Sequence, residues 1–264
     1  MVERLLGADS DNVHVHEPTL PAPFRWDGGH IRAELPGGHV LFSTRRGGVS
    51  TGAFASLNLG RLTPDDGANV DVNRERLAAA VGRPRERFLY GRQVHGGRVR
   101  RALEPPGPER PVEDEDGQAT ALPDAAALVF VADCLPVALV ADGAVAALHG
   151  GWRGLARGVL GEGMAALREL GARGEVQAAL GPSARGCCYE VGEEVHAHFA
   201  VYDARKGERN LDLALVARAQ LDAAGVHTVH DTGLCTLCGD PELFYSHRRD
   251  GGITGRQAGV AWRA

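Results

Sequence analysis

Within "VFVADCLPVALVADGAVAALHGGWRG" (Val129–Gly154) a largely aliphatic run presents the thiol of Cys134 and, fifteen residues later, the imidazole of His149. A thiolate and an imidazole at contact distance can act as a nucleophile with its base, or as two ligands of one small ion. Asp142-Gly143 stands between two aliphatic runs and is a two-residue hairpin signal. With those two at the turn, Ala141 pairs with Ala144 and His149 lies opposite Pro136. Side chains alternate along a strand, so Pro136 and Cys134 share a face. Cys134 and His149 then become diagonal neighbours, about 7–8 Å apart or closer. Pro136 works against this arrangement, because proline disturbs a ladder away from a sheet edge. The glycine-rich stretches "HGGWRG" and "QVHGG" nearby would let a ligand approach the backbone.

The elements that must carry these residues are legible in outline. "HVLFSTRRGG" predicts a strand ending at Arg45 and Arg46, and "RFLYGRQVHGG" a strand breaking at Gly96-Gly97. "NVDVNRERLAAAVG" predicts a helix with Asn69 as its cap. "LARGVLGEGMAALREL" and "LDLALVARAQLDAAGV" predict two further helices, while "EVQAALGPS" and "HTVHDTG" predict strands. Residues 1–23, with His14 and His16, read as a loose solvated tail, and 24–264 as a single catalytic domain. Residues 104–118 read as a Pro-rich, then acidic, loop inside that domain. Helices and strands mix without a βαβ rhythm, so the class is α/β (α+β), with mixed sheets and flanking helices.

Composition narrows the function classes. The 264 residues suffice for a substantial core, and the net charge of −5, with acids and arginines interspersed, argues against a nucleic-acid partner. Lys206 is the one lysine, which sets aside Schiff-base and lysine-dependent P-loop chemistry. Five irregularly spaced cysteines, Cys134, Cys187, Cys188, Cys235 and Cys238, read as reduced thiols of a cytoplasmic protein. The N-terminus shows no signal-peptide pattern. The apolar run 125–148 has membrane length, but Asp133 and Asp142 interrupt it at about 2.5–3.5 kcal/mol each on insertion scales. Buried strands are expected there, with no membrane partner.

"FSTRRGGVSTGAFASLNLG", "QVHGGRV", "ADCLPVALVADGAVAALHGGWRG", "GPSARGCCYEVGEEV", "CTLC" and "ELFYSHRRDGGITGRQAGV" occur in that order. Together they resemble the successive blocks of the YfiH-like family, also called the laccase-domain, multicopper polyphenol oxidase or purine nucleoside phosphorylase family. The likeness runs from about Phe42 to Val260. It implies a single YfiH-like α/β domain and a catalytic zinc held by His95, Cys134 and His149. Two departures are visible: Gly150 stands where the family usually has Ala, and Ala184-Arg185-Gly186 where it usually has Ile-Gly-Pro. Three protein ligands with one open position would suit catalysis, since structural zinc sites are closed by a fourth ligand.

The resemblance further implies phosphorolysis of adenosine, inosine and methylthioadenosine, with adenosine deamination as a side activity. Arg45, Arg46 and Arg153 are candidates to hold phosphate, whose oxygens a guanidinium fork fits. Asp133 and Glu190 are candidates to move protons. The H-x-E and P-C-x-x-C signature of zinc nucleobase deaminases is missing, so any deamination would use another scaffold. The alternatives are a thiol hydrolase with Cys134 as nucleophile and His149 as base, such as a peptidoglycan-precursor editing enzyme, or a copper polyphenol oxidase. The last asks for more histidines than one His2Cys set. A metal that merely ties loops together is a non-enzymatic reading. "CTLC" has metal-knuckle spacing, but adjacent Cys187 and Cys188 seldom chelate one ion, so packing or local redox chemistry is expected there. "SHRRDGG" reads as a pocket rim or dimer contact. Purine nucleosides and phosphate are the expected partners, with the protein a monomer or homodimer.

Overall fold

The computed structural model describes residues 17–105 and 113–264; His14 and His16 lie outside them. In chain order the first strands are β1 (Arg25–Asp27), β2 (His30–Leu35) and β3 (Gly38–Phe42), followed by α1 (Gly67–Val81). Then come β4 (Phe88–Leu89), β5 (Val99–Ala102), β6 (Gly117–Thr120), β7 (Ala126–Val131), β8 (Leu135–Asp142) and β9 (Ala144–Gly150). After them stand α2 (Trp152–Ala156), α3 (Val159–Glu169), β10 (Arg173–Leu180) and α4 (Glu193–His198). The chain closes with β11 (Arg205–Lys206), β12 (Asn210–Leu211), α5 (Leu213–Ala223), β13 (Thr228–Asp231) and β14 (Gln257–Arg263).

Two six-stranded mixed sheets, ordered β1-β2-β3-β14-β7-β4 and β13-β10-β8-β9-β6-β5, stack face to face. Val40 and Phe42 from the first sheet meet Ala138, Val140, Val145 and Ala179 from the second. The outer face of the first sheet packs Leu41, Leu128 and Val260 on Leu77 and Val81 of α1. The outer face of the second packs Leu139, Leu148 and Leu180 on Leu160, Met164 and Leu167 of α3 and Leu221 of α5. The result is four layers: helix, sheet, sheet, helices. This is the mixed α+β domain with flanking helices that the sequence implies.

The layering explains why 125–148 is apolar without alternating. Strand β8 from Leu135 to Ala141 and all of β9 are buried, because one face meets a sheet and the other meets helices. Small side chains permit the close stacking; a Cβ on Gly259 would come within 2.7 Å of Pro136 Cβ. The hairpin register is the expected one: Ala141 pairs with Ala144 and Pro136 with His149, and Gly143 turns at φ 93°. Pro136 does no harm to the ladder. Its carbonyl accepts from Gly181 N at 3.0 Å. The missing N–H falls on the same side, where the β10 ladder ends at Leu180–Val137.

Several expectations are corrected. α1 starts at Gly67, and Asp66 caps it by accepting from Ala68 N at 2.8 Å; Asn69 is inside the helix. The helix expected over 155–170 is two helices, because Gly158 takes φ 78° and ends the first. The strand expected over 87–97 stops at Leu89. Beyond it, Gln93 imitates a strand by donating to Phe130 O and accepting from Phe130 N, both at 2.7 Å. Within the expected tail, residues 17–23 dock on the body: Pro18 O accepts from Trp26 Nε1 at 2.8 Å, and Glu17 pairs with Arg46.

Candidate metal centre

The site lies at one shared end of the neighbouring strands β8, β9 and β6 of the second sheet. Cys134 immediately precedes β8, His149 is the penultimate residue of β9, and Asp116 immediately precedes β6. The β8–β9 register brings the first two together, and the β6–β9 register, Gly117 opposite Leu148, brings the third. His95 comes from the loop after β4, held at φ 57°. One ligand atom from each of His95, Cys134 and His149 lies within 4.8 Å of the others. His95 Nε2 is 3.7 Å from Cys134 Sγ, and the two imidazole rings are 4.8 Å apart.

Asp116 organises this cluster. Fully buried, it meets His149 Nδ1 at 2.7 Å and accepts the backbone N–H of Val94, His95 and Gly96 at 3.1, 2.9 and 2.6 Å. One carboxylate thus fixes the His149 ring and the loop that carries His95. Burial alone would raise the Asp116 carboxyl, but the His149 ring and the N–H groups outweigh it and hold it below its usual range. Arg157 donates to His95 O at 2.7 Å and secures the loop from outside. Gly151 leaves the necessary space, because a Cβ there would sit 2.9 Å from His95 Cδ2 and 3.1 Å from Cys134 Sγ.

The electrostatics favour a thiolate. Burial pushes the Cys134 thiol up, but the charge of His149 and hydrogen bonds from both imidazoles bring it down to about 6. Burial likewise lowers His149, while the Cys134 thiolate and Asp116 push it up to about 9. With Nδ1 committed to Asp116, His149 turns Nε2 to the cluster, the carboxylate–histidine arrangement that accompanies metal ligation. Two imidazole nitrogens and one low-lying thiol form a donor set that fits a zinc-class ion.

The other sequence candidates divide. Asp133, at φ 85°, accepts from Thr236 Oγ1 at 2.7 Å and from Arg248 N at 2.8 Å, so both oxygens tie loops to the residue next to Cys134. Arg153 is exposed and lies over Trp152, 4.2 Å from the ring centroid. Arg45 donates to Ala55 O and Pro241 O and lies 4.6 Å over the Tyr245 ring. Arg46 pairs with Glu17, and the exposed Glu190 carboxylate pairs with Arg209 at 3.2 Å. The unusual Arg185 is buried and grips Asp231.

Sequence reasoning missed Asp116, Gly151, Tyr189 and Arg256. Asp116 is the last of four alternating acids in "EDED", and only the strand that starts at Gly117 marks it out. Burial pushes the Tyr189 hydroxyl up to about 12, with the Cys134 charge adding to it and Arg248 and Arg153 opposing. Arg248 lies over the Tyr189 ring at 5.0 Å. Burial lowers the half-buried Arg256, and the charges of Cys134 and Asp133 work the other way. Arg248 and Arg153 thus act on Tyr189 together with Cys134, and Arg256 feels Cys134 and Asp133.

A family model described as multi-copper polyphenol oxidoreductase laccase matches residues 39–264. A purine nucleoside phosphorylase of Mycobacterium tuberculosis (strain H37Rv) is 41% identical over 250 residues, covering 90% of this chain and 96% of its own. A purine nucleoside phosphorylase of Corynebacterium glutamicum is 38% identical over 232 residues, covering 84% and 93%. Among solved structures, YlmD from Geobacillus stearothermophilus superposes with a TM-score of 0.83 at 33% identity, covering 92% of this chain and 99% of that one. The Bacillus licheniformis hypothetical protein YfiH gives 0.82 at 28% identity, with the same coverage.

Proposed function

Because the chain belongs to the multi-copper polyphenol oxidoreductase laccase family, and relatives within it are named purine nucleoside phosphorylases, we propose that it is a zinc-dependent purine nucleoside phosphorylase. The observation that carries the reading is the meeting of His95, Cys134 and His149 around one point, with Asp116 behind. These three residues would hold the zinc, which when bound supplies Lewis-acid polarisation to a substrate oxygen. Copper is the lesser reading, because the described residues gather histidines into one metal cluster only.

In the proposed reaction the bond from the sugar C1′ to the purine breaks, its electron pair leaving with the base. A phosphate oxygen bonds C1′, and a proton goes to the purine. Arg153 and Arg248, which act on Tyr189, and Arg256, which feels the charges of Cys134 and Asp133, would hold the phosphate. Arg45, which donates to Ala55 O and Pro241 O, is a further candidate for the phosphate. Inosine, adenosine and methylthioadenosine are the proposed substrates, with water-driven release of ammonia from adenosine as a side reaction. No helix of the described residues is long and apolar enough to cross a membrane. A cytoplasmic setting is proposed from the reduced thiols. Inosine should yield ribose 1-phosphate and hypoxanthine only when phosphate is supplied; equal turnover without phosphate overturns the proposal.

The order Asp116, His149, Cys134 also supports a second reading, a thiol hydrolase with Cys134 as nucleophile. A covalent substrate adduct on Cys134, formed by metal-free protein, would favour it. Activity that disappears on chelation and returns with zinc would favour the phosphorylase.

A further inference from the structure

Adjacent cysteines seldom chelate one ion, yet Cys187 and Cys188 lie against the "CTLC" pair. All four sulfurs, from Cys187, Cys188, Cys235 and Cys238, lie within 4.8 Å of one another. The nearest separations are 3.5 Å for Cys187–Cys188, 3.3 Å for Cys187–Cys238 and 3.4 Å for Cys188–Cys235. These exceed a disulfide bond of about 2.05 Å. They fall a little inside the edge of about 3.8 Å that follows for a tetrahedron of sulfurs at zinc–sulfur bonds of about 2.3 Å. The adjacent cysteines reach one point because the chain turns there, Cys188 N donating to Arg185 O at 3.0 Å.

A second observation comes from the backbone. Burial pushes the Cys235 thiol up, but the backbone N–H groups of Cys238, Arg185 and Leu237 hold it below its ordinary value. Such donors stabilise a sulfur that carries negative charge. Burial and the neighbouring sulfurs push the Cys187 and Cys188 thiols up, so all four would ionise together only with a cation between them.

We propose that Cys187, Cys188, Cys235 and Cys238 form a second metal site, a closed four-thiolate structural zinc site. Its place in the fold explains its use. The loops carrying the two cysteine pairs already touch through a Ser183–Cys235 bridge and through Thr236 N donating to Ser183 O at 3.0 Å. Both then meet at Asp133, through Ala184 N on its carbonyl at 2.8 Å and Thr236 Oγ1 on its carboxylate at 2.7 Å. The metal would clasp the two loops that hold the residue beside Cys134. This site has four protein ligands and no open position, so it would take no substrate.

The test is metal stoichiometry under reducing conditions, read without any activity assay. Wild-type protein is expected to hold two zinc ions per chain, and Cys134→Ser one. Cys235→Ser with Cys238→Ser should also hold one, with lower thermal stability. Cobalt loaded into Cys134→Ser should give the strong thiolate-to-cobalt charge-transfer absorption of four sulfur ligands. Failure of the first site alone would leave the cobalt signal of Cys134→Ser intact, so the two proposals fail separately. If the double variant does not fold, the Cys134→Ser measurement decides alone. Cys134→Ser that binds neither zinc nor cobalt overturns the proposal, as do disulfides among the four cysteines in protein kept reduced. Iron in place of zinc overturns the assignment of the metal.

Discussion

Asp116 holds both a ligand ring and a ligand loop, so its replacement should be read in binding rather than folding. Asp116→Asn keeps the size but removes the charge that accepts from three N–H groups and faces His149. Metal affinity at the His95–Cys134–His149 cluster is expected to fall about 10–100-fold, measured by competition with a chromophoric chelator. A second prediction concerns pH in metal-free protein. The folded Cys134 thiol is depressed to about 6. The stability it contributes is complete above the ordinary thiol value and is lost as pH falls through about 6. His149 is raised to about 9, so its contribution is complete below the ordinary imidazole value and is lost as pH rises through about 9. Thiolate absorbance that is missing in Cys134→Ser should therefore appear with a midpoint near 6; a midpoint at the free-thiol value would contradict the ion pair. None of this was legible at Asp116 itself, because an acid within an acidic run looks like solvated surface until the sheet buries it.

At the scale of elements, glycine positions decide where the ligands can go. Gly151→Ala would drive a Cβ to 2.9 Å from His95 and 3.1 Å from Cys134. It should cost metal binding at the cluster while leaving the circular dichroism spectrum unchanged. Gly158 has no heavy atom within 4 Å of an added Cβ, but its φ is 78°. Gly158→Ala therefore meets only backbone strain, about 1 kcal/mol, and should lower Tm by about 2–4 °C in a scan. The β8–β9 hairpin was legible because a two-residue turn fixes register, and register fixes which side chains share a face. The His95 loop was not: its departure from the sheet depends on Gln93 bonding Phe130 and on Asp116, contacts between segments far apart in the chain. The four-cysteine cluster was hidden for the same reason, since the turn at Arg185 and its apposition to "CTLC" are tertiary facts.

For the whole molecule, the four layers bury β8 and β9, the strands that lead to Cys134 and His149. Leu139 of β8 is fully buried against the helical layer, and Leu139→Ala is expected to cost about 2–5 kcal/mol in denaturant unfolding. Both ligand-bearing strands are covered on two faces, so their amides should exchange with solvent only when the entire domain opens. Such a cradle neither stretches for a bulky guest nor shrinks for a small one. Ions would then be sorted by rigid fit, with the selectivity of the cluster guarded by core residues that never touch the guest.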